Sequence, residues 1–140
     1  MLREMRKHYS GQIGIGVVGS WRDCGYEFNG YDYLTVSAYP QTQTTADAWI
    51  SGQSEISLVS TVDWARKVAD RSNISILHMG ETGVQNTGET DPSGFFKTAE
   101  LTLEQEKEFY DKLFEKVSGK VNGVSVFYNS KTSFLGVNGQ

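Results

Sequence analysis

The chain has 140 residues, a formal net charge of −4 and a mean hydropathy of −0.42. This length fits one ordinary domain, and the acidic balance gives no basic field that would attract nucleic acid or an anionic membrane surface. No apolar run reaches the roughly 20 residues of a membrane span, and the charged N-terminus lacks the apolar segment of a signal peptide. Cys24 is the single cysteine, so an internal disulfide and a multi-cysteine metal site are both excluded.

The first part of the chain predicts one short helix followed by two strands. Residues 2–9 have the pattern of the last turns of a helix. Residues 12–18 (QIGIGVV) and 31–39 (YDYLTVSAY) are predicted as strands, and Pro40 closes the second because proline lacks the N–H that sheet pairing needs. The connection between them, residues 19–30, is too short and too rich in glycine for a full helix.

The middle of the chain predicts a helix and a third strand. A helix from about residue 54 to residue 70 keeps Leu58, Val62 and Ala65 on one face. Residues 74–80 (ISILHMG) form a nearly continuous apolar run, which is typical of a parallel strand buried on both faces.

The last part of the chain predicts a further helix and a fourth strand. Thr102 and Gln105 form a capping box that opens a helix over residues 103–117. The fourth strand is predicted over residues 121–128 (VNGVSVFY). Strands that alternate with helices in this way predict an α/β fold with a parallel sheet.

Gly14, Gly16 and Gly19 match the dinucleotide-binding pattern G-x-G-x-x-G literally. That pattern requires a strand before the first glycine and a helix that opens within it, whereas only Gln12 and Ile13 separate Gly14 from the end of the predicted helix. We therefore place the glycines within the strand, where they let bulky neighbours pack or a ligand approach closely. A nucleotide-binding α/β domain is kept as an alternative.

The carboxyl ends of the predicted strands carry the residues best suited to chemistry, because parallel α/β proteins place their sites there. Glu81 directly follows the third strand, and a carboxylate at that point is costly to bury without a partner. Tyr39 ends the neighbouring strand and is placed to donate a hydrogen bond that keeps Glu81 ionised. We interpret Glu81 as a nucleophile or general base, with a solvated strand-end carboxylate as the alternative.

Ring side chains near the same strand ends are the expected substrate-binding residues. They are Trp21, Trp49, His78, Phe127 and Tyr128. Such rings stack on sugars, but a packing role fits Trp21 and Trp49 equally well, and a core position fits His78. No cluster of Asp, His or Cys at these ends suits a metal ion, and no loop has the Gly-Lys-Ser/Thr pattern that binds phosphate. Neither a metal nor a cofactor is therefore expected.

The order of these motifs resembles the C-terminal half of the (β/α)8 barrel in clan A retaining glycoside hydrolases, in particular β-mannanase-like and endo-β-galactanase-like barrels. The matching segments are residues 3–11 before strand five, residues 31–40 of the form "lDyigvsaYp" for strand six, residues 74–83 ending in Glu-x-Gly for strand seven, and residues 123–128 for strand eight. The resemblance implies a TIM barrel, of which residues 1–140 are a partial catalytic domain with strands five to eight.

The resemblance carries Glu81 over as the strand-seven nucleophile and Tyr39 as the residue that orients it. The sequence departs from the family at strand eight, where Phe127 and Tyr128 stand in place of a frequent tryptophan, and at His78, where an apolar residue, Thr or Ser is common. The family's acid/base glutamate belongs to the end of strand four, which would precede this chain, and retaining hydrolysis needs both carboxylates. The isolated chain is therefore expected to be an inactive fragment of a longer chain.

Two functions compete with the nucleotide-binding alternative. The first is hydrolysis of O-glycosidic bonds in a β-linked polysaccharide or oligosaccharide by retaining double displacement. Its partners would be the carbohydrate and either the missing N-terminal half of the barrel or a second copy of the chain. The second is a non-catalytic half-barrel that holds a glycan through Trp21, Trp49 and Tyr39. We expect the full-length protein to be extracellular, although a single cysteine fits a cytosolic protein equally well.

Overall fold

The computed structural model describes residues 1–18, 25–40, 46–53, 56–83, 85–86, 102–126 and 129–130. In chain order these residues form α1 (Leu2–His8), β1 (Gly14–Val18), β2 (Tyr33–Ala38), α2 (Ala46–Ser51), α3 (Leu58–Arg71), β3 (Ile76–Thr82), β4 (Gln85–Asn86), α4 (Leu103–Val117), β5 (Gly123–Val126) and β6 (Asn129–Ser130). None of the helices in this part of the chain is long and apolar enough to cross a membrane.

The four longer strands form one parallel sheet in the order β1-β2-β3-β5. The short strands β4 and β6 form a separate parallel pair. The predicted parallel α/β sheet is therefore confirmed. Three of the strands lie within their predicted runs, and β3 continues two residues further than predicted, to Thr82.

Side-chain caps fix the first residues of the two long helices. The Thr102 hydroxyl accepts a hydrogen bond from the Gln105 backbone N–H, and the Gln105 side chain accepts one from the Thr102 N–H, so the predicted capping box is confirmed. Ser57 and Ser60 make the same reciprocal pair before α3. Because the capping residue Ser57 has extended backbone angles, α3 begins at Leu58 and not near residue 54 as predicted.

The helices cover one face of the sheet and form the core there. Leu34 and Val36 of β2 and Leu77 and Met79 of β3 have no exposed area. They pack into two clusters, one built with α3 and the other with α2, α3 and α4. Burial of each such side chain stabilises the fold by about 1.5–3 kcal/mol. The core therefore also determines which strand residues point away from the helices.

The face of the sheet opposite the helices is called here the inner face. It is defined by Tyr33, Thr35, Ser37, Ile76 and His78. Because successive strand residues point to opposite sides, these five alternate with the buried core residues, and each is partly exposed. The rings of Tyr33 and His78 lie with their centroids 5.7 Å apart, so the middle of this face is covered by its own side chains.

Two glycines of the literal dinucleotide pattern lie within β1, as predicted, and Gly19 lies outside the described residues. A Cβ on Gly14 would meet the Tyr33 ring at 2.0 Å, and a Cβ on Gly16 would lie 3.2 Å from Thr35 Oγ1. These two glycines therefore lie within a strand and make room for side chains of β2, which is the structural role predicted for them.

Asp32 ties the amino-terminal ends of β1 and β2 to α1. Its carboxylate accepts hydrogen bonds from the Ile13 backbone N–H, at 2.6 Å, and from the Arg6 guanidinium, which also donates to the Gly11 carbonyl. The Ile13 hydrogen bond and, after it, the Arg6 hydrogen bond hold the pKa of Asp32 below its ordinary value. This group of residues, called the Asp32 clamp, lies at the end of the sheet opposite Glu81.

Candidate active site

An irregularity in β3 decides which way Glu81 faces. The pairing with β2 is regular up to Met79, but the next pair joins Glu81 to Ser37, so Gly80 is an extra residue. The pairing with β5 shifts at the same place, as expected for a β-bulge in β3. Glu81 consequently lies opposite Ser37 on the inner face, whereas Thr82 is fully buried on the helix side, as Met79 is.

Tyr39 follows the last residue of β2 and contacts the Glu81 carboxylate. Its hydroxyl donates a hydrogen bond of 3.0 Å to Glu81 Oε2, which is the contact expected from the sequence. Burial of the phenol and, after it, the hydrogen bond to Glu81 raise the pKa of Tyr39 above its ordinary value. Tyr39 is therefore a neutral hydrogen-bond donor to Glu81 at neutral pH.

The Glu81 carboxylate is accessible to a ligand that enters from solvent. The side chain is exposed, so its second carboxylate oxygen can be reached from the inner face. Among the residues described, Glu81 is the one acidic residue that lies within a strand or directly after one. The described part of the site thus provides one carboxylate and one phenol donor.

Glu27 is a further exposed carboxylate, but it lies at the other end of the sheet. It precedes β2 by six residues and accepts a hydrogen bond of 3.0 Å from the Asn29 side-chain amide. The backbone N–H of the next residue, Phe28, donates to the Ser72 hydroxyl, and Ser72 lies between α3 and β3, so this segment is at the amino end of the sheet. Glu27 is therefore not placed to act together with Glu81.

The predicted substrate-binding residues differ in their positions. Trp21, Phe127 and Tyr128 lie outside the described residues. His78 lies on the inner face and is partly exposed, so its imidazole is on the same side of the sheet as Glu81.

Trp49 is a core residue, which corrects its expected role in substrate binding. It lies in α2, a short helix that was not predicted, and has no exposed area. Its ring stacks on Phe109 of α4 with the centroids 6.3 Å apart. Because α2 packs against both α3 and α4, Trp49 takes the packing role that the sequence left open and offers no ring face to a sugar.

No other site for a ligand is built next to Glu81 in the described residues. They contain no group of three or more His, Cys, Asp or Glu side chains placed to hold a metal ion. A groove of about 450 Å³ runs along α3 and is lined by Trp64, Lys67 and Arg71, among others. Since α3 covers the helix side of the sheet, this groove does not belong to the inner face.

Comparison with known proteins gives one informative likeness. No family model matches the chain, and no curated protein matches it. The solved structure of the GH113 β-mannanase AaManA from Alicyclobacillus acidocaldarius, in complex with ManMIm, is similar, with a TM-score of 0.61 and 18% sequence identity. The match covers 92% of this chain and 38% of that chain.

The likeness shows the class of fold. The chain has an α/β fold with four parallel strands that matches part of a TIM barrel, and the similar protein is a glycoside hydrolase. In TIM barrels the site lies at the carboxyl ends of the strands. Tyr39 and Glu81 occupy that end of β2 and β3.

Proposed function

We propose that this chain is the part of a retaining glycoside hydrolase that carries the nucleophile, Glu81, on strands five to eight of the barrel. The observation that carries the proposal is the hydrogen bond from Tyr39 to Glu81 at the carboxyl end of the sheet. The likeness to a β-mannanase supports the proposal at the level of the fold. It makes β-linked mannan the first polysaccharide to test.

The chemistry follows the two-step course of retaining hydrolysis. A Glu81 carboxylate oxygen forms a bond to the anomeric carbon while the bond from that carbon to the glycosidic oxygen breaks, and the departing oxygen takes a proton from a second carboxylic acid. A water molecule then attacks the same carbon and gives its proton to that second carboxylate. The sugar leaves and Glu81 is regenerated as a carboxylate.

Tyr39 has a positioning and electrostatic role in this course. Its O–H group holds one oxygen of Glu81, which leaves the other oxygen to approach the sugar. A hydrogen bond to an ionised group contributes about 1.5–3 kcal/mol. Because its pKa is raised, Tyr39 keeps its proton throughout the reaction at neutral pH.

The second carboxylate comes from outside the described residues. We place it on the N-terminal half of the barrel, at the end of strand four, in a longer and extracellular form of the protein. The chain spans 38% of the length of the β-mannanase that it matches, which leaves room for such a half. The isolated chain would then bind sugar poorly and would not cleave an ordinary glycosidic bond.

The experiment that tests the proposal avoids the need for the second carboxylate. A 2,4-dinitrophenyl group leaves without being protonated, and a fluorine at the sugar C2 slows the hydrolysis of the intermediate. Incubation of the chain with 2,4-dinitrophenyl 2-deoxy-2-fluoro-β-mannoside is expected to add one fluorosugar to the peptide that contains Glu81. Mass spectrometry of the digested protein detects this adduct.

Glu104→Gln is the matched control, because Glu104 is an exposed glutamate on α4. It is expected to leave the labelling unchanged, while Glu81→Gln abolishes it. Labelling at another residue, or none at any concentration of the reagent, would refute Glu81 as the nucleophile. Binding of mannan oligosaccharides without labelling would favour the non-catalytic glycan-binding function instead.

A further inference from the structure

We propose that Gly80 and Thr35 are positioning residues, in which the Thr35 side chain fills the space beside Gly80 and so fixes the bulge that directs Glu81 toward Tyr39. This inference rests on the proposed function for its importance to catalysis. Its test follows the contact between Tyr39 and Glu81 through the ionisation of Tyr39, so it does not depend on turnover.

The fit between Gly80 and Thr35 is too close for an added Cβ unless a neighbouring atom shifts. A Cβ built on Gly80 would lie 3.0 Å from Thr35 Cβ, closer than nearly all real Cβ contacts, with Thr35 Oγ1 at 3.5 Å. Gly80 does not have a positive φ. Its backbone conformation is therefore open to other residues, and the need for glycine at this position is a need for space.

Thr35 cannot easily move away from Gly80. It lies between the glycines of the two neighbouring strands, because a Cβ on Gly16 of β1 would lie 3.2 Å from Thr35 Oγ1. The hydroxyl donates a long hydrogen bond of 3.4 Å to the Ile15 carbonyl. A β-branched side chain also has a stiff χ1 angle. Any displacement caused by an added methyl group therefore falls mainly on the bulge.

A displaced bulge changes the position of Glu81, since Gly80 is the residue directly before it. The hydrogen bond from Tyr39 is 3.0 Å long, which is the upper end of the usual range of about 2.5–3.0 Å for O–H···O bonds. A shift of a few tenths of an ångström at Gly80 is thus enough to weaken it. The bulge affects the pairing of β3 with both of its neighbours, since the registers with β2 and with β5 both shift there.

Ionisation of Tyr39 is the readout. It is measured as the ultraviolet absorbance of tyrosinate from about pH 10 upward, in each protein and in the same protein with Tyr39→Phe, and the difference isolates Tyr39. In the wild type this difference is small, because Tyr39 keeps its proton. Glu81→Ala removes the hydrogen bond, so more Tyr39 ionises at a given pH, and this increase in tyrosinate absorbance is the reference. Gly80→Ala is expected to show most of the increase in tyrosinate absorbance that Glu81→Ala shows. Circular dichroism confirms that each variant stays folded at each pH.

Two further variants separate positioning from a general effect of an added methyl group. Gly123→Ala adds a methyl to the neighbouring strand at an ordinary contact distance, 3.4 Å from His78 Cδ2, and is expected to behave as the wild type. The double variant Gly80→Ala, Thr35→Gly relieves the close approach and is expected to restore the wild-type curve. A folded Gly80→Ala protein with the wild-type curve, or an equal rise in Gly123→Ala, would overturn the proposal.

If Gly80→Ala does not fold, variants at Thr35 alone carry the test. Thr35→Gly removes the contact with Gly80 and is expected to raise Tyr39 ionisation, whereas Thr35→Val keeps the branched shape and is expected to leave it unchanged. Equal curves for these two variants would also overturn the proposal. Loss of Glu81 labelling by the fluorosugar with normal Tyr39 ionisation would instead refute the nucleophile and leave the positioning role intact.

Discussion

The Tyr39 hydroxyl and the Glu81 carboxylate lie 42 residues apart in the chain and 3.0 Å apart in the structure. Two local features bring them together. β2 ends one residue before Tyr39, and the extra residue Gly80 turns Glu81 to the inner face of β3. The pair therefore depends on the register of two neighbouring strands, and its properties can be tested separately from the rest of the fold.

Glu81→Gln is expected to lower turnover of β-mannan by about 10³-fold or more in a form of the protein that contains the complete barrel, because an amide cannot attack the anomeric carbon. Its free energy of unfolding is expected to fall by no more than about 1 kcal/mol, since the exposed Gln side chain keeps an oxygen that accepts the hydrogen bond from Tyr39. Initial rates and denaturant melts measure the two effects. Turnover that survives the substitution would exclude Glu81 as the nucleophile.

Tyr39 is expected to make the fold sensitive to alkali. Its pKa is raised, so above about pH 10 the folded state keeps a proton that the unfolded state loses. The stability that this proton contributes is present at neutral pH and falls as the pH rises toward the folded pKa. Tyr39→Phe is therefore expected to lose stability less steeply than the wild type above pH 10, as measured by urea melts. Tyr26→Phe, which removes an exposed hydroxyl, is the control.

Asp32 is expected to give the opposite pH dependence of stability. Its pKa is lowered by the hydrogen bonds from Ile13 and Arg6, so its stabilisation is present above its ordinary pKa of 3.8 and is lost as the pH falls through the folded value. Asp32→Asn should thus be less stable than the wild type at neutral pH. The difference in free energy of unfolding between the two proteins, measured by urea melts, should shrink as the pH falls below about 3.8. A difference in stability that stays the same in acid would contradict the stabilising role of the Asp32 carboxylate.

The matched control for the Asp32 variant is Asp63→Asn. Asp63 makes an exposed ion pair with Lys120 at 3.1 Å. Such surface pairs contribute about 0–1 kcal/mol. Urea midpoints of Asp63→Asn are therefore expected to stay close to those of the wild type at every pH.

Trp49→Ala is expected to lower the free energy of unfolding by about 3–5 kcal/mol, because it leaves a cavity between α2 and α4. Trp49→Phe should cost less, since a ring still stacks on Phe109. Equilibrium unfolding in urea measures both. If Trp49→Ala instead weakened sugar binding without loss of stability, the original expectation for this residue would be restored.

The isolated chain is expected to self-associate through its outer strands. In the described residues β1 pairs only with β2 and β5 only with β3, and neither outer strand contains a charged residue or a proline. Such edges readily pair with another chain. Sedimentation velocity at rising concentration should show association, and Ser125→Lys on β5 should reduce it. Ser118→Lys, on an exposed turn after α4, is the control, and a monomer at all concentrations would refute the expectation.

The parts of the fold that local signals determine were predictable from the sequence. α4 has the predicted first and last residues because Thr102 and Gln105 cap its start, and Gly119, with a φ of 72°, follows its end. The four strands of the larger sheet were predictable from their apolar runs, whereas the two-residue strands β4 and β6 were not. In contrast, α2 follows a polar segment, and the burial of Trp49 depends on two helices that come later in the chain.

The contact between Tyr39 and Glu81 was expected from neighbouring strand ends, but the face on which Glu81 lies was not predictable. Strict alternation from Leu77 and Met79 would have put Glu81 on the helix side. The bulge at Gly80 reverses this, and it exists only through pairing with β2 and β5. A strand sequence alone carries no information on such pairing.

The Asp32 clamp has a consequence for how this fold can evolve. Asp32 and Tyr39 flank β2 on either side, about 20 Å apart at the spacing of strand residues. Substitutions at that separation act independently on stability. Evolution can therefore rework the strand ends around Glu81 while the Asp32 clamp at the opposite end keeps the sheet intact, and mutations that restore stability can accumulate near the clamp without altering the contact between Tyr39 and Glu81.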